Sequence, residues 1–391
     1  MNEEFRLTSR NFVCVCVATF LYFGSFYLLI PTLPQYVAGL GGSPGQIGLV
    51  MGTFSLSAVL VRPYLGQLAD RRGRKRLMLL GTGFFALLFP FYGLLQNVEH
   101  LYILRVAHGL AHASFLAASA AYIADLAPPK RRGEVIGIYG TASVVAMAIF
   151  PAIGIDIIKY TQSFTVLFAC SAAAAAAAFL AVAAGGEISS QGGKKAVSLL
   201  AVGRRRAVIV PSLALFSGAA AYGTVIAFLP VFAPQRGLLD FGIFFTAYAA
   251  ATLASRIFAG KLSDRWGRRR VILPFMSLLA VGVFLLPFLD SLLLLVFIGL
   301  AFGIGFGAFM PTLNALVVDK TPPAERGSAL GFFTSFMDLG IAAGSVFLGQ
   351  VGERAGFGAM FTTSGFVLIA GIAIFAIWTE KDTPPGAADK T

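Results

Sequence analysis

The sequence predicts an all-helical membrane protein whose twelve transmembrane helices fall into two six-helix halves, and three observations predict it. Apolar stretches of about twenty residues recur along the whole chain, each long enough to cross a hydrocarbon core of about 30 Å. Two loop motifs recur at one constant offset. The basic residues crowd into the loops of one side.

Composition sets the class. The 391 residues are 57% hydrophobic and only 12% charged, whereas a soluble domain carries about 25% charged residues. A soluble protein with several buried helices would show shorter apolar segments broken by polar faces. Inside a bilayer the backbone must satisfy its own hydrogen bonds, so segments of this length are helices. They are placed at about 11–37, 44–65, 77–97, 99–125, 134–157 and 161–184, then at about 207–232, 238–259, 271–289, 291–318, 327–350 and 356–378. Residues 1–184 form a first six-helix bundle and residues 207–391 a second. The linker between them, residues 185–206, contains Gly186, Glu187, Ser189, Ser190, Gly192, Gly193 and Lys194, a polar and flexible composition.

The net charge of +12 is explained by orientation and calls for no nucleic-acid partner. With the N-terminus inside, the inner loops hold Arg71, Arg72, Arg74, Lys75 and Arg76, then Lys130, Arg131 and Arg132. Lys194, Lys195, Arg204, Arg205, Arg206, Lys261, Arg265, Arg268, Arg269, Arg270, Lys320 and Arg326 follow on the same side, while the other side shows only Lys159, Arg236 and Arg354. By the positive-inside rule both termini are expected in the cytoplasm of a bacterial inner-membrane protein. Met1–Arg10 is polar and carries no cleavable-signal pattern. Cys14, Cys16 and Cys170 lie in apolar segments, and their odd number and spacing offer neither a disulfide framework nor a metal site. No cofactor and no metal are expected.

The repeat is read by direct comparison. Arg62–Arg76 (RPYLGQLADRRGRKR) matches Arg256–Arg270 (RIFAGKLSDRWGRRR), and Asp125–Gly133 (DLAPPKRRG) matches Asp319–Gly327 (DKTPPAERG), both at an offset of 194. Two independent motifs sharing one offset mark the duplication of a six-helix unit, a common transporter design with the substrate site between repeats.

The segment Gly66, Leu68, Ala69, Asp70, Arg71, Gly73, Arg74, Lys75 resembles the signature of the major facilitator superfamily between its second and third helices. Its second copy, Gly260, Asp264, Gly267 and Arg268, stands where the family's degenerate copy belongs, and the resemblance covers nearly the whole chain. It implies the major facilitator fold and a cytoplasmic gate. Gly66 is expected to let helices approach closely, and Asp70 to pair with basic residues or cap a helix N-terminus. Such contacts would lock the cytoplasmic side in one state and break in the other. For the arginines, topological anchoring is an equally good account.

Ionisable residues at membrane depth are costly, and few occur here. Arg105, His108 and His112 are spaced by three and four, so they share one face of span four. They resemble the superfamily's fourth-helix signature, whose arginine is linked to proton coupling; His108 stands where many members have glutamine. Asp338 lies about eleven residues into span eleven, roughly 16 Å deep at 1.5 Å per residue, on a stripe with Gly331, Ser335, Ala342, Ser345 and Gly349. Burial favours a neutral carboxyl and an imidazole titrates near neutrality, the properties a proton carrier needs. Asp338, Arg105, His108 and His112 are therefore the expected proton-coupling set. A structural acid is the alternative for Asp338, and a structural hydrogen bond serves equally for His112. Arg62 and Arg256 are repeat-equivalent and near the inner ends, where snorkelling or gate pairing is the default.

In span five, Pro151 and Gly154 remain of the motif that exporters of the superfamily carry there, with Phe150 and Ile155 in place of glycines. The proline permits a bend, and the export reading is favoured. Tyr22, Tyr27, Tyr222, Phe302, Phe306 and Asn314 are aromatic and polar candidates for a substrate cavity. Asp338 is the only acid deep in any span, so the charge balance suggests a zwitterionic, anionic or neutral amphiphilic solute. Three functions follow: proton-driven export of small organic molecules, proton-coupled import of a metabolite, or flipping of lipids and amphiphiles. None is enzymatic, since no nucleotide-binding motif or nucleophile–base pair appears. The expected partners are a small organic solute, protons and the lipid bilayer, and the protein is expected as a monomer.

Overall fold

The structure, a computed structural model, describes residues 7–128, 131–188, 199–323 and 325–379, with the side chains of Pro63, Asp70 and Leu200 outside the described set. Every regular element among the described residues is helical. The first half runs α1 (Arg10–Leu29), α2 (Leu33–Gly39), α3 (Pro44–Arg72), α4 (Arg74–Leu94), α5 (Val98–Leu126), α6 (Arg132–Thr161) and α7 (Phe164–Ala184). After the short α8 (Leu199–Gly203) come α9 (Arg206–Gln235), α10 (Gly242–Trp266), α11 (Arg268–Leu285), α12 (Leu292–Asp319) and α13 (Arg326–Trp378). Within the linker, Ser189, Ser190, Gly192, Gly193, Lys194 and Lys195 lie outside the described residues, as does Lys130.

Eleven helices among the described residues are long and apolar enough to span a membrane. The last of these, the 53-residue α13, is interrupted at Gly356, where φ 82° and ψ 165° are not helical. Divided there, α13 supplies two membrane-length segments, which makes twelve such segments among the described residues. The first expected span, by contrast, is broken. Pro31 and Pro34 remove two backbone donors, and the chain separates into α1 and α2 around Ile30–Thr32.

Two compact units result: Met1–Gly41 with Thr53–Lys194, and Gly42–Gly52 with Lys195–Thr391. In unit 1, α1 packs on α6 and α7, and α4 on α5 and α7. In unit 2, α9 packs on α13, and α10 and α11 on α12. Without a hydrophobic drive between helices in lipid, close backbone approach at small residues holds such bundles together. Gly109 on α5 shows it: a Cβ there would stand 2.3 Å from the Phe54 carbonyl oxygen and 2.0 Å from Ser57 Oγ. At Gly303 on α12, the repeat equivalent, a Cβ would stand 2.3 Å from the Tyr248 oxygen and 2.7 Å from Ala251 Cβ. Phe54, Ser57 and Gly109 map onto Tyr248, Ala251 and Gly303 at the same offset of 194. One crossing has been built twice.

The start of α3, part of unit 2, packs on α13 by the same device. Gly48 leaves only 2.1 Å between an added Cβ and the Ser345 oxygen, and Glu353 Oε2 accepts the Gly45 N–H at 3.1 Å.

Candidate functional site

The charged residues of span four sit in an aromatic shell inside unit 1. Arg105 is 2% exposed, His108 0% and His112 8%. The Arg105 guanidinium lies 4.2 Å from the centroid of the Phe54 ring, a cation–π contact, and it hydrogen-bonds Tyr92. His108 has both ring nitrogens occupied: Nε2 is 3.1 Å from the Phe85 carbonyl oxygen and Nδ1 is 2.9 Å from the Tyr92 hydroxyl. A carbonyl only accepts, so Nε2 carries a proton and donates to it, and in that tautomer Nδ1 accepts from Tyr92. This relay, Arg105 to Tyr92 to His108 to the Phe85 carbonyl, occupies both ring nitrogens. His112 Nδ1 meets the Tyr22 hydroxyl at 3.1 Å, and its ring stacks on Phe26 with centroids 5.2 Å apart.

The second half carries no copy of these charges. Arg105, His108 and His112 correspond to Gly299, Phe302 and Phe306 at the repeat offset. There the Tyr222 ring stacks on Phe306 at 4.9 Å and approaches Phe302 at 6.4 Å. Asp338, the deep acid, is half-buried on α13, between Ser335, whose hydroxyl bonds back to the Gly331 oxygen at 2.8 Å, and the tight crossing of Gly340 on Phe216. Arg105, His108 and His112 thus belong together in unit 1, and Asp338 belongs to unit 2.

Of the expected cavity residues, Tyr222 and Asn314 are half-buried. Tyr22 and Phe302 are 0% exposed and Phe306 4%, their rings packed among aromatic neighbours of their own units. Within unit 1 an open apolar groove of about 520 Å³ runs between α1 and α6, lined by Phe12, Val13, Val17, Phe20, Ile138 and Val145 among others. Beside it, Pro151 lies inside α6 and Gly154 brings that helix to 2.4 Å, Cβ position to oxygen, from Leu28 of α1.

The loop motif is resolved into distinct tasks. Gly73 and Gly267 adopt φ 94° and 91°, a region closed to most side chains, and so divide α3 from α4 and α10 from α11. Arg74 Nη1 pairs with Asp125 Oδ2 at 2.9 Å; Arg268 Nε pairs with Asp319 Oδ2 at 3.0 Å and its Nη1 with Asp264 at 2.6 Å. Lys75 donates to the Ala183 and Gly185 oxygens at 3.0 and 2.6 Å, and Arg269 to the Ala376 oxygen at 2.6 Å. Each cation neutralises the C-terminal end of the last helix of its own half. Arg71 is exposed, and the Asp70 side chain lies outside the described residues.

Nothing lies within 4 Å of where a Cβ at Gly66 or at Gly260 would stand. Close approach within each unit is made at Gly109, the glycine that follows His108 in the span-four motif, and at its repeat equivalent Gly303. Asp125 and Asp319 show in the sequence only as parts of a repeat. That both copies keep an acid is the signal that each has a cationic partner in the other motif. Phe54 and Tyr92, which hold Arg105, carry no local sequence signal at all.

The model of the Major Facilitator Superfamily matches residues 15–239 and 212–391, the greater part of the chain. The chain belongs to this superfamily. The transporter is 25% identical to the staphylopine export protein of Staphylococcus aureus, over 96% of this chain and 98% of that protein. It is 28% identical to a multi-drug resistance efflux pump PmrA homolog of Lactococcus lactis, over 92% and 93%, and 25% identical to multidrug resistance protein MdtG of Yersinia enterocolitica, over 96% and 94%. Among solved structures, a mutant of the nucleoside transporter NupG matches with a TM-score of 0.80 at 16% identity, covering 94% of this chain and 100% of that one. A bacterial homolog of the human lysosomal transporter Spinster matches at 0.79 and 15% identity, covering 94% and 96%. At such identities the structural matches speak for the fold.

Proposed function

We propose that this transporter exports small organic molecules in exchange for protons by alternating access. The observation that carries the direction is the set of full-length relatives named for export or multidrug efflux, among them the staphylopine exporter and the PmrA homolog. Retention of Pro151 and Gly154 in α6 agrees with it.

In this reading Asp338 is the proton carrier, because it is the acid placed deepest in a span. Arg105 supplies a fixed positive charge in the first half. His108, held by Tyr92 and the Phe85 carbonyl, positions Arg105 through their shared tyrosine, and His112 with Tyr22 forms the flank of the same shell. Gly66, Asp70, Arg71, Gly73 and Arg74, with Gly260, Asp264, Gly267 and Arg268, make up the cytoplasmic gate, and both termini lie in the cytoplasm. Tyr222 and Asn314 are the substrate-facing candidates. A cation with no counterpart in the second half fits an anionic or zwitterionic solute, and the apolar groove between α1 and α6 suits one with an apolar part.

The groove also favours a second reading, the flipping of lipid-like amphiphiles without proton exchange. One experiment separates the possibilities. Purified protein in proteoliposomes is given a pH gradient of either sign and a panel of radiolabelled organic anions, zwitterions and cations. An exporter working by antiport accumulates its solute when the lumen is acid, because protons leave as solute enters. A proton-coupled importer accumulates it when the lumen is alkaline. A flippase equilibrates its amphiphile regardless of the gradient. Accumulation only with an alkaline lumen would overturn the proposal.

A further inference from the structure

The two copies of the loop motif spend only some of their cations on the protein itself. Arg74 and Arg268 are engaged by Asp125 and Asp319, and Lys75 and Arg269 by helix-terminal carbonyls. Arg71, Arg72 and Arg76 in the first copy are exposed, as are Lys261 and Arg265 in the second. Within the described residues none of these five makes a hydrogen bond or ion pair.

The faces on which they stand have a second property. On α3, Tyr64 is 67% exposed and lies seven residues, two helical turns or about 10 Å, before Arg71 on the same face. On α10, Phe258 is 67% exposed and lies seven residues before Arg265. Each half thus presents an exposed aromatic ring two helical turns before an uncommitted cation at the helix end. A solvated loop has no use for the ring, and a free anion has no use for it either. A molecule with an anionic head and an apolar tail uses both.

We infer that each of these faces holds one anionic phospholipid, its phosphate on Arg71, Arg72 and Arg76 in one half and on Lys261 and Arg265 in the other, with an acyl chain along Tyr64 or Phe258. Clustered Lys and Arg beside a spanning helix attract anionic headgroups, by about a fivefold gain in affinity per cation. The inference rests on the membrane location of the chain and on neither the direction of transport nor its coupling, so its failure would leave the export reading standing.

The test uses the full chain in detergent, titrated with phosphatidylglycerol or with phosphatidylcholine of the same acyl chains and read by native mass spectrometry. Wild type is expected to retain two phosphatidylglycerol molecules in preference to phosphatidylcholine. R71Q/R72Q/R76Q is expected to weaken one of them about a hundredfold, and K261Q/R265Q the other about thirtyfold, at about fivefold per cation. R10Q, another exposed cation, leaves both in place, and Tyr64→Ser weakens one without any change of charge. Equal retention of the two lipids by wild type overturns the inference. So does unchanged phosphatidylglycerol binding in both charge variants, or its displacement by inorganic phosphate at the same concentration, which would mark a free-anion site. The wild-type comparison decides even where a variant fails to fold.

Discussion

Arg74 and Asp125 meet at 2.9 Å between α4 and α5, and 194 residues further on Arg268 and Asp319 meet at 3.0 Å between α11 and α12. The duplication has kept the bond but not its surroundings. The first pair is 8% and 13% exposed by side chain, the second 21% and 51%. Removing one partner of a buried pair strands the other charge and costs about 3–5 kcal/mol, while an exposed pair is worth about 0.2–1 kcal/mol. Arg74→Ala is therefore expected to lower the melting temperature of the purified protein far more than Arg268→Ala. The reversed pair, R74D/D125R, should recover part of the loss. Equal melting shifts for the two single variants would show that burial does not set the difference.

The glycines divide into two groups with opposite expectations. At Gly109 and Gly303 an added methyl meets backbone oxygen at 2.3 Å, and alanine should cost about 1–3 kcal/mol as the helices are forced apart. At Gly66 and Gly260, where nothing lies within 4 Å, alanine should leave stability unchanged or raise it by about 1 kcal/mol through helix propensity. Thermal melts in detergent check both. Loss of stability in Gly66→Ala alone would mark it as a packing site.

That contrast shows what is legible in the sequence. The long apolar segments, the 194-residue offset and the paired loop motifs reveal the class, the repeat and the cations of the loop motif, because each is written in local composition or in direct self-comparison. Gly73 and Gly267 are visible in the same way. The open space beside Gly66 is not, because a glycine in a helix announces permission to approach and says nothing of the presence of a neighbour. Gly109 and Phe54 are 55 residues apart in a crossing that only tertiary structure reveals. The break between α1 and α2 is present in Pro31 and Pro34, but the apolar residues on either side of them hide it.

The relay from Arg105 through Tyr92 to His108 yields a prediction on stability. Tyr92→Phe removes the donor to a wholly buried imidazole nitrogen and should cost about 1–3 kcal/mol. Replacing both groups, in Y92F/H108F, leaves no stranded nitrogen, and Phe302 already fills the equivalent place in the second half. The double variant should melt above the Tyr92→Phe single variant. If it melts lower, the two side chains are not acting as a pair.

The central claim is that a proton carried by Asp338 drives solute uphill. The most direct test is Asp338→Asn in proteoliposomes with an acid lumen, using the solute that wild type accumulates from the panel. Asparagine keeps the shape of the side chain and cannot carry the proton. The variant is expected to lose accumulation against the solute gradient and still to exchange labelled for unlabelled solute when both faces hold it. If Asp338→Asn concentrates the solute as wild type does, the proton is carried by another group and Asp338 is not the coupling residue.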